Sequence, residues 1–174
     1  MHKSKLIAHT DNDKTLNDWY KKGPQEIEAN TFAKELLMPE AVFKPLAHGK
    51  FSMNQIEGLA KKFQTSKTAT LLRYKDLGSF PIALIFIENG IIKWTQYSHD
   101  FVLQFLPYDS KLPVNTVAGD IFYRKNGVPD EPELVEAIDW FPEDFNIKKY
   151  LDWKFYEQCF PVSDTGILTC LWGN

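Results

Sequence analysis

The sequence predicts an α+β protein, with a helical N-terminal part followed by a mostly antiparallel sheet. Before residue 78, apolar residues recur at intervals of three and four, which is typical of amphipathic helices. Beyond Pro81, short runs rich in β-branched and aromatic residues alternate with turn residues, as in antiparallel strands. Asn89-Gly90, the strongest short hairpin pattern, joins the first two runs. We therefore expect a helical domain over residues 1–79 and a sheet domain over 80–174.

Composition restricts the class of protein. The 174 residues are 44% hydrophobic, which suffices for one good core or two small ones. The net charge of −3 gives no overall attraction to nucleic acid or to anionic lipid. Two cysteines form no disulfide framework, and neither a signal peptide nor an apolar run of membrane-spanning length is visible. We expect a cytoplasmic protein without a membrane association.

A helix is predicted over residues 24–39. Gly23-Pro24 is a typical opening, because proline at a first helical position loses no hydrogen bond, and Pro39 ends the segment. One apolar stripe, expected to be buried, is formed by Ala29, Phe32, Ala33, Leu36 and Leu37.

The carboxylates of this helix fall at different angles to the stripe. At roughly 100° per residue, Glu26 lies about 50° from the centre of the apolar face and Glu28 about 110° away. Glu26 is therefore expected to point inward, together with Asn30 four residues later, whereas Glu28 and Glu35 point to water. An inward carboxylate needs a partner, a proton or a metal. The alternative is that Glu26 only occupies the first turn, near the positive end of the helix dipole.

The pattern E-x-E-A-N-x-F-A-x-x-L-L-M-P over residues 26–39 resembles the ImmA/IrrE family of bacterial zinc metallopeptidase-like proteins, and LTCLW near the C-terminus is also similar. In that family a first helix carries H-E-x-x-H, and a second helix of this kind supplies a glutamate as third zinc ligand. The resemblance implies that Glu26 is the metal ligand and Asn30 a supporting residue. Glu28 is the substitute if the ligand lies two residues later.

No H-E-x-x-H occurs anywhere in this sequence. Catalytic zinc needs three protein ligands and an open position, and the resemblance leaves at most one ligand here. We therefore expect no catalytic residues, no zinc cofactor and no proteolysis from this chain. The missing motif would end at or just before residue 1, which predicts either a truncated product or a start codon placed too far downstream. In the second case the protein is an active zinc endopeptidase.

Residues 40–48 predict a short helix broken at Pro45, and residues 52–78 predict two further helices with Ser52 and Ser66 as N-caps. The pair resembles a helix-turn-helix unit, so a DNA-binding regulator is an alternative function. Its candidate contacts are Lys61, Lys62, Lys67 and Arg73. The simpler interpretation is an ordinary helix pair with solubilising lysines, which the acidic chain favours.

The C-terminal half predicts six strands and one short helix. The strands are expected at residues 82–87, 91–97, 118–123, 133–140, 151–157 and 167–172, and the helix at 144–149. The family resemblance implies a sensor-like domain of the GAF/PAS type here. A small-molecule sensor is thus a further alternative, and it predicts a closed apolar pocket among the tryptophans.

The leading hypothesis from the sequence is a catalytically inactive ImmA/IrrE-type protein with a regulatory, protein-binding role. Active members of the family act on helix-turn-helix repressors in stress response or mobile-element regulation. By resemblance, the expected partner is a helix-turn-helix repressor or an antitoxin-type regulator. Nucleic acid is a weaker candidate, and no membrane partner is expected.

Overall fold

The computed structural model describes the backbone of residues 24–174 and the side chains of residues 31–174. Its N-terminal part is helical, as predicted: α1 spans Pro24–Leu37, α2 spans Glu40–Leu46, α3 spans Met53–Phe63 and α4 spans Lys67–Leu77.

Serine side chains cap the N-termini of α3 and α4. The Ser52 hydroxyl accepts a hydrogen bond from the Gln55 N–H, and the Ser66 hydroxyl accepts one from the Ala69 N–H. These contacts satisfy backbone donors that a helix start otherwise leaves unpaired, so both predicted caps are confirmed. The predicted break at Pro45 is wrong, because α2 continues through it to Leu46. The helix ends one residue later, so the proline interferes with little of the hydrogen-bond ladder.

The strands form one antiparallel sheet. They are β1 (Ile82–Glu88), β2 (Ile91–Tyr97), β3 (Glu133–Glu136), β4 (Lys154–Pro161) and β5 (Gly166–Gly173). The strand order across the sheet is β2-β1-β5-β4-β3, and every pair is antiparallel. Asn89 and Gly90 between β1 and β2 have φ angles of 52° and 72°, as a tight hairpin of the predicted kind requires. The α+β fold class is confirmed.

Two predicted strands are wrong in whole or in part. Residues 118–123 belong to a helix, α5 (Val117–Tyr123), and residues 137–140 form a short helix, α6 (Ala137–Trp140), directly after β3. The Thr116 hydroxyl caps α5 by accepting a hydrogen bond from the Gly119 N–H at 3.0 Å. This cap and further tertiary contacts override the β-propensity of the aromatic residues in α5.

Two further elements of the C-terminal half differ from the prediction by more than one residue. Strand β4 begins at Lys154 and ends at Pro161, three and four residues later than predicted, and the short helix near residue 144 is a single 3-10 turn over Ile147–Lys149.

The sheet is covered on both faces. Side chains of β1 alternate between two cores: Ala83 and Ile85 join a core with α5 and α6, whereas Ile82, Leu84 and Phe86 join a core with α2, α3 and α4. Helices α2, α3 and α4 thus share one core with one face of the sheet, and helices α5 and α6 share the other core with the opposite face. The division into domains at residue 79 and the GAF/PAS-like character of the sheet stay predictions.

No helix in the described ranges is both long enough and apolar enough to span a bilayer.

Candidate functional site

The predicted metal-ligand position lies at the beginning of α1. Glu26, Glu28 and Asn30 fall within the helix, but their side chains are outside the described residues. Their assignment as a ligand, a substitute ligand and a supporting residue therefore stays a prediction.

The described part of the apolar stripe on α1 is exposed. Phe32 is 70% exposed, Leu36 68% and Leu37 55%. The expectation that this stripe is buried is wrong over residues 32–37. Helix α1 instead contacts α4 through its polar side, where the Lys34 ammonium lies 3.4 Å from the Asp76 carboxylate. The chain enters the core only at Met38, which is 2% exposed.

Arg73 connects three helices. Its Nε–H donates to the Met38 carbonyl at 2.9 Å, and its guanidinium pairs with the Glu35 carboxylate. The same carboxylate accepts a hydrogen bond from the Glu40 N–H at 2.8 Å, where α2 begins. That backbone bond, together with Arg73, lowers the pKa of Glu35 below its usual value. Glu35 was expected to point only to water; it is half-exposed but paired.

This burial removes Arg73 from the predicted DNA-binding set. Its side chain is 9% exposed and both sides of its guanidinium have partners within the protein. A phosphate contact needs a cation that reaches solvent.

Helix α4 as a whole is unsuited to reading DNA. The recognition helix of a helix-turn-helix unit lies in the major groove and must present its side chains to solvent. In α4, the buried side chains are Thr68, Thr70, Leu71, Leu72, Arg73 and Tyr74. Helices α3 and α4 therefore share the spacing of such a unit without its exposed second helix.

The predicted lysine contacts are on the surface. Lys61 and Lys62 are exposed in the last turn of α3, and the Lys67 ammonium lies 2.5 Å from the Glu57 carboxylate. A role of these lysines in DNA binding stays a prediction.

The described residues do not fit a catalytic zinc site. Within residues 31–174, histidine, cysteine, aspartate and glutamate side chains form no group of three or more that could hold a metal ion. Zinc in peptidases needs three such ligands in tetrahedral geometry. We therefore derive no reaction step through a metal.

Glu157 on β4, the most buried acidic side chain among residues 31–174, was missed by sequence reasoning. It is 0% exposed and accepts hydrogen bonds from Val117 N–H at 3.1 Å, Ala118 N–H at 2.9 Å and Trp140 Nε1–H at 2.9 Å. Burial raises the pKa of this carboxyl, and the hydrogen bonds oppose that effect. The carboxylate thus fixes α5 and α6 onto the sheet. Glu157 lies on the same side of β4 as the apolar Phe155 and Cys159, and this spacing of two residues was the available signal, but the predicted strand ended at residue 157.

The tryptophans do not line one closed pocket. Trp140 belongs to one core, Trp94 and Trp172 belong to the other, and all three are at most 5% exposed. That prediction is wrong for the part of the chain with described side chains. Trp153 differs, because it is 45% exposed at the edge of a surface pocket.

These features define a class: an α+β protein in which short helices cover both faces of a five-stranded antiparallel sheet. Residues 4–75 match the family model described as the IrrE N-terminal-like domain, a peptidase family. The helical part of the chain is therefore similar to the ImmA/IrrE family, which confirms the resemblance. A search among curated proteins gave no significant match.

Proposed function

We propose that this chain is a regulatory binding protein of the ImmA/IrrE peptidase family and does not itself cleave peptides. The observation that carries the proposal is a set of exposed apolar side chains on two consecutive helices within the family-matched region. It consists of Phe32, Leu36, Leu37, Val42 and Leu46, which we call the α1–α2 apolar surface.

The exposure of this surface supports protein binding. Phe32 and Leu36 lie one turn apart on α1, and Val42 and Leu46 lie one turn apart on α2. Soluble proteins rarely leave large apolar side chains grouped in water unless the group contacts a partner. An apolar helical face is best covered by the apolar face of another helical segment.

The family suggests which helical protein the binding partner is. Active ImmA/IrrE proteins act on helix-turn-helix repressors, and these repressors are helical. We therefore propose a helix-turn-helix repressor or an antitoxin-type regulator as the partner. A chain that binds such a regulator without cleaving it controls the amount of free regulator.

The binding experiment uses the purified chain and the helix-turn-helix regulator encoded nearest to its gene. We expect Leu36→Glu to weaken the complex at least about tenfold in calorimetric titration, because it places a charge in the apolar contact. The matched control is Leu134→Glu on β3, where the leucine is 47% exposed and lies outside this surface. Equal effects of the two substitutions, or no complex with the unmodified chain, would contradict the proposal.

The absence of catalysis is tested separately. The sequence has no H-E-x-x-H, and the described residues offer no zinc ligand set. We expect elemental analysis of the purified chain to show no stoichiometric zinc and the regulator to remain intact after incubation.

The alternative is an active endopeptidase whose start lies upstream. Reading the coding DNA 5′ of Met1 distinguishes the two: an in-frame H-E-x-x-H favours the peptidase, whereas a stop codon favours the binding protein.

A further inference from the structure

A half-open pocket of about 240 Å³ lies at one end of the sheet. Residues from distant parts of the sequence form it: the linker before β1, the loop after β2, the beginning of β4 and the end of β5. Its wall is mainly apolar and is formed by Phe80, Pro81, Phe101, Val102, Trp153 and Phe155, while Asp100, Gly173 and Asn174 complete the lining.

The aromatic side chains of the wall are held in place. Phe101 and Phe155 stack with ring centroids 5.2 Å apart and are almost fully buried. The Trp153 ring contacts the edge of Tyr150, with centroids 4.6 Å apart, and remains 45% exposed. The pocket therefore offers a rigid apolar wall with one solvent-accessible indole.

Asp100 is the one charged side chain that lines this pocket. Its carboxylate lies 2.7 Å from the His99 ring nitrogen, and both side chains are exposed, so an incoming cation can replace the imidazole. No lysine or arginine lines the pocket. An anionic ligand would meet a like charge beside an apolar wall, whereas a cation would meet both a carboxylate and aromatic rings.

We infer that this pocket binds a small organic cation with an apolar body, such as an ammonium group attached to one aromatic ring. A pocket of about 240 Å³ has room for one aromatic ring with a short substituent. The body would contact Trp153 and Val102, and the ammonium group would lie beside Asp100. This site is separate from the α1–α2 apolar surface and does not depend on the proposed protein partner.

Three probes of similar size separate the contributions: benzylammonium, benzyl alcohol and benzoate. They share a ring and differ in charge. Titration followed by protein amide NMR should show benzylammonium binding about fivefold more tightly than benzyl alcohol, as expected for one exposed charge pair, and benzoate binding most weakly. Shifts should be centred on residues 100–102 and 153–155. The same affinity for all three probes, shifts elsewhere, or no shifts at all would overturn the inference.

Two substitutions and a control complete the test. Asp100→Asn should remove the preference for benzylammonium over benzyl alcohol, and Trp153→Ala should weaken both about tenfold by removing ring contact. Both residues are exposed, so the fold should persist. The control Asp152→Asn removes an exposed carboxylate that does not line the pocket and should change nothing. If Asp100→Asn still preferred benzylammonium over benzyl alcohol, or if Asp152→Asn lost this preference equally, the assignment would be contradicted.

Discussion

Helices α1 and α4 differ in what they bury. Helix α4 packs against α2, α3 and β1, and even its threonines and its arginine are shielded from water. Helix α1 exposes Phe32, Leu36 and Leu37 and contacts α4 through charged side chains. A helix between other elements buries most of its surface, whereas a helix at the margin of the fold can leave an apolar side exposed. We therefore assign structural support to α4 and partner binding to α1.

The largest expected effect is on α4. Tyr74 is 0% exposed and packs edge-on against Phe51, with ring centroids 5.1 Å apart. Tyr74→Ala should lower the free energy of unfolding by about 4 kcal/mol, because it opens a cavity in the core. Leu36→Ala on α1 should change it by less than about 0.5 kcal/mol. Urea denaturation measures both values, and similar losses would show that α1 is packed as tightly as α4.

The next effect concerns Glu157, a buried polar side chain on the sheet. In Glu157→Gln, the amide NH₂ group can donate but not accept, so it would face at least one of the N–H groups that now donate to the carboxylate. We expect a loss of about 2 kcal/mol in unfolding free energy at neutral pH. The matched control is Glu133→Gln on β3, which is exposed and should have almost no effect.

Glu157 also predicts a pH dependence. Because burial raises its pKa in the folded state above the usual 4.5, the folded protein holds this proton more tightly than the unfolded chain. Its contribution to stability is therefore largest below pH 4.5 and decreases as the pH rises through the raised folded pKa. Comparing unfolding curves of the original chain and Glu157→Gln across this range isolates the contribution. A difference that grows with pH would mean that the hydrogen bonds outweigh burial.

A smaller loss is expected at Arg73, which links the two compared helices. Arg73→Met keeps most of the side-chain volume but leaves the Met38 carbonyl without its guanidinium donor. The expected decrease in the free energy of unfolding is about 1.5 kcal/mol. Lys67→Met, which removes an exposed ion pair with Glu57, should cost well under that amount in the same denaturation experiment. Equal losses would mean that the Arg73 contacts contribute no more than a surface pair.

Local sequence patterns predicted much of the fold. Ser52 and Ser66 act within three residues of their own positions, and Asn89-Gly90 needs only its own backbone angles, so the caps, the hairpin and β1 and β2 were predictable. Helix α5 was not, because its first N–H groups bind Glu157, 40 residues away from Val117.

The candidate sites were predictable to different degrees. The α1 motif over residues 26–39 identified the family, which the match to residues 4–75 confirms. The same motif gave the wrong burial for Leu36, because periodicity shows that a helix has an apolar side and not what covers it. The pocket was invisible in the sequence, since it joins Phe80, Asp100 and Trp153 only through the sheet topology.

The smallest expected effect lies on the surface of α3. The double substitution Lys61→Gln and Lys62→Gln should change unfolding free energy by less than about 0.5 kcal/mol, since both lysines are exposed. Because α4 buries the side chains that a recognition helix would present, we also expect no DNA binding by the unmodified chain. Fluorescence anisotropy with labelled DNA from upstream of the gene, at low salt, measures this. Binding that weakens steeply with salt and is lost in the double variant, but not in Lys44→Gln with Lys50→Gln, would restore the DNA-binding alternative.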